Sequence, residues 1–402
     1  MSRSADYTIQ GFLYQFHKSL LEILSKPIDA SVSIEGIIED VDVKIPTGTE
    51  AIQCKYHEAV ESFTLSKIYK PVIQMMDHFH KSGNKSTGIT YILYAYFPNM
   101  KEEELQISED NINQMLSTKN QKLIKIIEPF KENIDIKEFL KHFRFEFGSS
   151  IEELKEEIFM KLLELDFKKD YIDNLIYPNA INIIAKTSTL HSAIERTIKI
   201  QDFLENLRRI KNTALTKWTL SLKNYDSILK TRRKQLRAHL QINNRKRYFL
   251  IKDVFFEDFD DNIVTFIKEY LDKYHFKVIH ESTPIFCLDC CEDKFDDILV
   301  RLKKKHIKVN YGYISLSSFD EDTFFKEPIV EYSNGKIKNR EFDIRLLHVS
   351  KHKILNRYKA DDLILISNKD YSLEDIDVNI ERIELNDINA IKFVMGMRDT
   401  YE

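Results

Sequence analysis

Seven apolar residues between Tyr7 and Leu24 (Ile9, Phe12, Leu13, Phe16, Leu20, Ile23 and Leu24) recur at helical spacing on one stripe, which predicts an amphipathic helix. After Pro27 the period drops to two: Val32 and Ile34, then Val41, Val43 and Ile45, then Ile52 between polar neighbours, as in three short strands. Pro46-Thr47-Gly48-Thr49 carries turn chemistry, so Ile37–Ile45 and Glu50–Tyr56 are expected to form a hairpin. Leu65, Ile68, Tyr69, Val72, Met76 and Phe79 return to helical spacing, with Pro71 marking either a kink or the true start. The run Ile89–Phe97 is apolar and aromatic throughout, as a strand covered on both faces would be. The order is helix, three strands, helix, strand.

From Lys101 to Leu240 helical periodicity dominates, with stripes such as Ile151, Leu154, Ile158, Leu162 and Leu165. From Tyr248 onward strand-like runs (Tyr248–Val254, Phe276–Ile279, Tyr311–Leu316, Ile344–Val349, Leu363–Ile366) alternate with helical ones (Asp260–Tyr274, Asp293–Lys305, Asn386–Met397). The expected class is α/β in three parts: residues 1–150 as an N-terminal core, 151–245 as a helical linker region, and 246–402 as a separate α/β domain for regulation or assembly.

Length supports that division, since 402 residues exceed what one core usually serves. The net charge of −4 excludes a global positive excess, so any nucleic-acid surface must be local. One candidate exists: Arg208 to Arg247 holds thirteen Lys and Arg against a single acid, Asp226. Arg232, Arg233, Lys234 and Arg237 form its densest part and are candidates for DNA phosphates, with Trp218 as a stacking or packing residue; a solvated helix face or a surface for an acidic partner is the competing reading. No stretch has the length of a membrane span and the first residues lack an apolar signal core, so a cytoplasmic protein is expected. The four cysteines do not make a disulfide framework. Cys287-Leu288-Asp289-Cys290-Cys291, with His280 upstream, lacks the second half of a zinc site.

Chemistry concentrates in Ile34-Glu35-Gly36-Ile37-Ile38-Glu39-Asp40-Val41-Asp42-Val43-Lys44-Ile45 and Ile52-Gln53-Cys54-Lys55. Strand alternation places Asp40, Asp42 and Lys44 on one face, and Gln53 and Lys55 on another, and a hairpin brings two such polar faces together. Carboxylate and amide oxygens there suit Mg²⁺ or Mn²⁺, and a neighbouring lysine can orient or help deprotonate water, which is the equipment of phosphodiester hydrolysis. His57 could assist proton transfer or simply pack; Cys54 alternates inward and reads as a small core residue.

Gly11-Phe12-Leu13-Tyr14-Gln15, Glu35, Glu39-Asp40-Val41 and Ile52-Gln53-Cys54-Lys55 together resemble the PD-(D/E)XK, restriction-endonuclease-like nuclease domain of bacterial antiphage effectors. Relatives of that kind are the double-stranded DNA endonuclease of CBASS systems and the nuclease subunit of Lamassu-type systems. The resemblance covers residues 5–100, continues more loosely to 165, and does not reach the C-terminal part. It implies a restriction-endonuclease-like fold, Asp40 as the metal-binding aspartate, Gln53 in place of the usual acid, Lys55 as the catalytic lysine and Gln15 as the helical polar residue. Asp42 is the alternative aspartate, and Glu35 and His57 are possible additions. Glutamine at position 53 removes one negative charge and should weaken metal binding.

The expected activity is therefore metal-dependent cleavage of double-stranded DNA in antiphage defence; an inactive nuclease-fold scaffold or an RNase is the alternative. No phosphate-loop pattern accompanies Lys85-Ser86-Thr87 or Asn334-Gly335-Lys336. Control would come from an SMC-like or HerA-like ATPase, a further small subunit or a small-molecule signal. Homo-oligomerisation is expected as well, since cutting two strands takes two active sites.

Overall fold

The computed structural model describes residues 3–36, 38–58, 63–83, 88–98, 100, 105–222, 224–242, 244–275, 282–315, 318–333, 336–367 and 379–401. The expected strand Phe276–Ile279, together with Ile37, Lys85-Ser86-Thr87, Lys223, His280 and Asn334-Gly335, lies outside the described residues. The chain is mixed α/β and divides into two units, 1–211 and 212–402. That division falls inside the segment expected as a linker region. Helices Ile151–Glu164 and Tyr177–Ser188 belong to the first unit, and Tyr225–Leu240 belongs to the second. Among the described residues no helix is long and apolar enough to cross a membrane.

The first unit begins with α1 (Arg3–Ser25), then β1 (Ser31–Ile34), β2 (Val41–Ile45) and β3 (Gly48–Tyr56), α2 (Tyr69–Lys81) and β4 (Ile89–Tyr96). This is the order the periodicity predicts. Pro71 sits in the first turn of α2, where a missing N–H costs no helical bond, so it marks the start and not a kink. Two further strands, β5 (Phe143–Phe147) and β6 (Thr197–Lys199), interrupt the region expected to be helical. They lie at the two edges of one six-stranded sheet, ordered β5-β4-β3-β2-β1-β6.

Strands β1, β2 and β3 pair antiparallel, while β3, β4 and β5 run parallel. The hairpin turn is tighter than expected: Ile45 pairs with Gly48, so only Pro46 and Thr47 lie between the strands. Gly48 is required by a close approach, because a Cβ there would stand 2.3 Å from the Gly88 carbonyl oxygen.

The two sheet faces are buried differently. Ala51, Tyr91, Leu93 and Ala95 join Val72, Met75, Met76 and Phe79 of α2 and Phe130, Phe139 and Phe143 in one apolar core. The opposite face carries Tyr56 and Tyr94, on which Tyr14 of α1 packs at ring-centroid distances of 4.9 and 5.8 Å. Lys18 of α1 stands 4.2 Å from the Tyr94 ring centre and pairs with Glu22 at 2.7 Å. Ile9 and Phe12, expected on the apolar stripe, are exposed; the buried stripe begins at Leu13.

The second unit is built on an all-parallel sheet ordered β14-β13-β7-β8-β12-β9. Its strands are β7 (Arg247–Lys252), β8 (Ile285–Asp289), β9 (Val309–Asn310), β12 (Ile344–His348), β13 (Asp362–Ile366) and β14 (Asn379–Arg382). A separate hairpin joins β10 (Val330–Ser333) to β11 (Lys336–Arg340). The strand found near the one expected over Tyr311–Leu316 is the shorter Val309–Asn310; Gly312 follows it with a positive φ of 76°, and Leu316 lies outside the described residues. Cys287 lies in the core of β8 rather than in a metal knuckle, and among the described residues no cluster of three or more metal-ligating side chains is present.

Candidate active site

The turn between β1 and β2 builds one wall of the site. Glu35 adopts a left-handed φ of 49°, a conformation of order 1 kcal/mol less favourable for a residue with a Cβ. Its N–H donates to the Asp40 carbonyl at 2.8 Å, which joins the two ends of the turn. Asp42 braces that turn from β2: its carboxylate accepts the Ile38 N–H at 3.0 Å and the Glu39 N–H at 3.1 Å. Gly36 lies directly against this brace, and a Cβ there would meet Asp42 Oδ2 at 2.3 Å. Asp42 is only 3% exposed. The alternative aspartate of the sequence reading is thus committed to holding backbone, because its position puts both oxygens within reach of two successive N–H groups.

Asp40 immediately precedes β2 and is half-buried. The β2–β3 pairing ends at Val41↔Ile52, and Asp42 directly faces Ala51. Opposed residues share a face, so Asp42, Gln53 and Lys55 lie on the same side of the sheet, and Asp40 stands just before the paired residues. Asp40 Oδ2 accepts the backbone N–H of Cys54, the residue between Gln53 and Lys55, at 2.9 Å.

Two more carboxylates gather there. Burial first, then the neighbouring Asp40, pushes the Glu39 carboxyl up to about 8, with Lys55 acting in the opposite direction. Glu35 is raised by the same two causes in the same order, and Arg196 and Lys55 act against them. Glu39 and Arg196 are the residues that the sequence reading did not assign to the site. The adjacent Glu39-Asp40 pair was a visible signal for the first; Arg196 is remote in sequence, and nothing in its local pattern marks it.

His57 follows β3, and its N–H donates to the Tyr96 carbonyl at 3.1 Å. Its ring stacks on Phe97 at 4.7 Å, and burial, then Lys67 and Lys55, lowers its pKa. It is a packed histidine on the rim of the lysine's environment. Gln15 stands on α1, which covers the opposite face of the sheet, and its side-chain oxygen is buried without a hydrogen-bond partner among the described residues. Cys54 is buried, and burial raises its thiol pKa, in keeping with a core role.

The donor set is all oxygen: Asp40, whose Oδ2 also accepts from Cys54, the Gln53 amide and the flanking Glu35 and Glu39. Among the described residues it does not close on one ion position in the manner of an all-protein cage. Such a set fits a hydrated Mg²⁺ held through one or two protein oxygens, with the remaining positions left to water and substrate.

The basic candidates separate. Arg232 is 1% exposed and forms an ion pair with the equally buried Glu381 of β14, so it is a core residue and not a surface one. Helical phase explains this: Ile228, Leu229, Arg232, Leu236 and Leu240 share the buried stripe of their helix. Arg245 and Arg247 from the same basic stretch pair with buried Asp362. Arg233, Lys234 and Arg237 line a groove on the other stripe.

No protein-family profile matches the chain, and no curated protein matches it. Among solved structures it is similar to a Cap4 SAVED/CARF-domain containing receptor of Moraxella osloensis, at 12% identity and a TM-score of 0.28 over 96% of this chain and 93% of that one. It is likewise similar to the corresponding Acinetobacter baumannii receptor with the cyclic trinucleotide 2'3'3'-cAAA, at 12% identity and a TM-score of 0.31 over the same shares. Neither overlap is close enough to assign a fold or a function.

Proposed function

We propose that the first unit is a metal-dependent phosphodiesterase that cuts double-stranded DNA, acting as an effector of bacterial antiphage defence. The observation that supports this reading is the hydrogen bond of Asp40 to the Cys54 N–H, the backbone group between Gln53 and Lys55. The residue pattern shared with PD-(D/E)XK nucleases supplies the choice of chemistry.

Asp40 and the Gln53 amide would hold Mg²⁺ or Mn²⁺, with Glu39 as a further oxygen donor. When bound, the ion supplies Lewis acidity at the phosphoryl oxygen. Lys55 does the rest of the positioning: its ammonium donates to a non-bridging phosphate oxygen and orients the attacking water through a second N–H. Gathered carboxylates would repel a polyanionic substrate, and Lys55 offsets part of that repulsion at the point of attack.

The second unit serves regulation or assembly, through an SMC-like or HerA-like ATPase, a further subunit, a small-molecule signal or self-association. Incubating purified protein with supercoiled plasmid in Mg²⁺ or Mn²⁺, alone and with candidate partners, tests the reading. Cleavage that disappears in EDTA and in Lys55→Ala, at unchanged melting temperature, is expected. Absence of cleavage under every condition would favour a scaffold, and cleavage of RNA alone would make the protein an RNase.

A further inference from the structure

The helix Tyr225–Leu240 is amphipathic in an unusual sense, because its solvent stripe is made of cations. Lys230, Arg233, Lys234 and Arg237 follow one another at intervals of three, one and three residues, and Gln241 continues the line one turn later. They line a groove of about 510 Å³ whose floor includes Phe393. The stripe runs about 17 Å along the helix axis, the axial length of roughly five nucleotide steps of a duplex strand.

One anion already occupies this groove. The Asp399 carboxylate pairs with Arg233 at 2.7 Å although its side chain is 97% exposed. Arg233 first, then Lys273 and Arg237, hold that carboxyl below its usual range. Arg233 is fixed in orientation, since its guanidinium also lies 4.6 Å from the Phe393 ring centre. That contact covers the ring, which removes the apolar anchor a protein partner would need for a desolvated hot spot. What remains is a row of hydrogen-bond donors with one position filled by a carboxylate of the chain itself.

We propose that this groove of the second unit binds the phosphate backbone of nucleic acid, with Asp399 occupying one phosphate position in its absence. The site is separate from the Asp40–Lys55 site and does not depend on catalysis there. Binding of a fluorescein-labelled DNA duplex of random sequence to the full-length chain, followed by anisotropy in EDTA over a range of salt, reads it directly. Lys230→Glu/Lys234→Glu is expected to weaken binding and to lower the slope of log Kd against log salt by roughly 2, at about 0.9 per phosphate contact. Asp399→Asn is expected to tighten it. Both charge-reversed side chains are exposed, so the melting temperature should hold. An unchanged affinity and slope in the double variant would overturn the proposal. So would displacement of the duplex by polyglutamate at equal charge concentration, which would assign the groove to an acidic protein. Absence of plasmid cleavage by the unaltered chain in Mg²⁺ and Mn²⁺, with duplex binding intact, would sink the nuclease reading alone.

Discussion

Asp40 and Cys54 are joined by a hydrogen bond of 2.9 Å from the Cys54 backbone N–H to Asp40 Oδ2, across the start of the β2–β3 pairing. The bond has two effects. It satisfies one carboxylate oxygen with backbone, and it ties Asp40 to the stretch of β3 that carries Gln53 and Lys55. Asp42, two residues along on the same face, uses its carboxylate in a different way, bracing the Ile38 and Glu39 N–H groups. Neighbouring aspartates thus divide between placing a reactive group and holding the turn that presents it.

This division predicts opposite phenotypes. Asp42→Ala leaves two buried N–H groups without their charged acceptor and should cost about 3 kcal/mol in urea unfolding. Asp40→Asn keeps an oxygen for Cys54, so stability should change by less than about 1 kcal/mol. Its metal-dependent cleavage should fall at least about a hundredfold, the scale of removing one electrostatic contact to the reacting centre. Equal stability losses in the two variants would contradict the division.

Gln53 is buried at the level of Leu93 in the parallel pair and, in the proposed site, would contribute a neutral oxygen. Gln53→Glu adds charge beside Asp40 and the already raised Glu39, which should destabilise the metal-free protein. The same charge should lower the Mg²⁺ concentration for half-maximal cleavage by about tenfold, equivalent to about 1.4 kcal/mol. A magnesium titration of cleavage alongside melting temperatures with and without Mg²⁺ checks both signs.

Much of the first unit is legible because its signals are local. Period-two runs, a Pro-Thr turn and an apolar β4 each identify themselves within ten residues. The edge strands are different. Phe143-Arg144-Phe145-Glu146-Phe147 alternates cleanly, yet it is embedded in helical pattern on both sides, and three-residue β6 is fixed only by pairing with distant β1. In the second unit, Ile285–Asp289 drew attention for its cysteines when its apolar run marked a central strand. Arg232 shows the same effect in a charge run: composition made it a surface residue, whereas the phase of Ile228, Leu229, Leu236 and Leu240 placed it inside. The shared side of Gln53 and Lys55 was readable from alternation; the left-handed Glu35 turn that brings Glu39 near Asp40 was not.

His17 carries a pH dependence of defined sign. The ring is fully buried; Nδ1 donates to the Leu13 carbonyl at 2.5 Å, so Nε2 accepts the Tyr177 hydroxyl at 2.6 Å. Burial lowers its pKa to about 4, with the Leu13 carbonyl acting the other way and Lys155 adding slightly to the lowering. Above about 6.5 the ring is neutral in both folded and unfolded chains and contributes no slope. As pH falls below 6.5 the unfolded chain takes the proton and the folded one refuses it, so stability declines until about pH 4. The expected loss between pH 7.5 and pH 5 is about 2 kcal/mol from this residue. His17→Gln, which keeps a donor and an acceptor without a titrating ring, should flatten that part of a urea-midpoint profile followed by circular dichroism.

The buried pair of Arg232 and Glu381 supplies a test within the second unit. Glu381 also accepts from the Asn212 amide at 3.0 Å and lies 3.7 Å from His239 Nδ1, so several elements converge on one carboxylate of β14. Burial lowers the arginine's pKa to about 10, a measure of how far it is removed from water. Arg232→Ala leaves an uncompensated charge inside and should cost about 3–5 kcal/mol, read by the fluorescence of Trp218, the single tryptophan. Arg232→Leu/Glu381→Leu removes both charges and should lose much less than the sum of its parts, because desolvation had offset most of the pair's attraction. Lys234→Ala, on the opposite stripe of the same helix, should leave the transition within about 0.5 kcal/mol. If Arg232→Ala also leaves it there, the arginine is not held inside the unit, and its place among the surface phosphate contacts has to be restored.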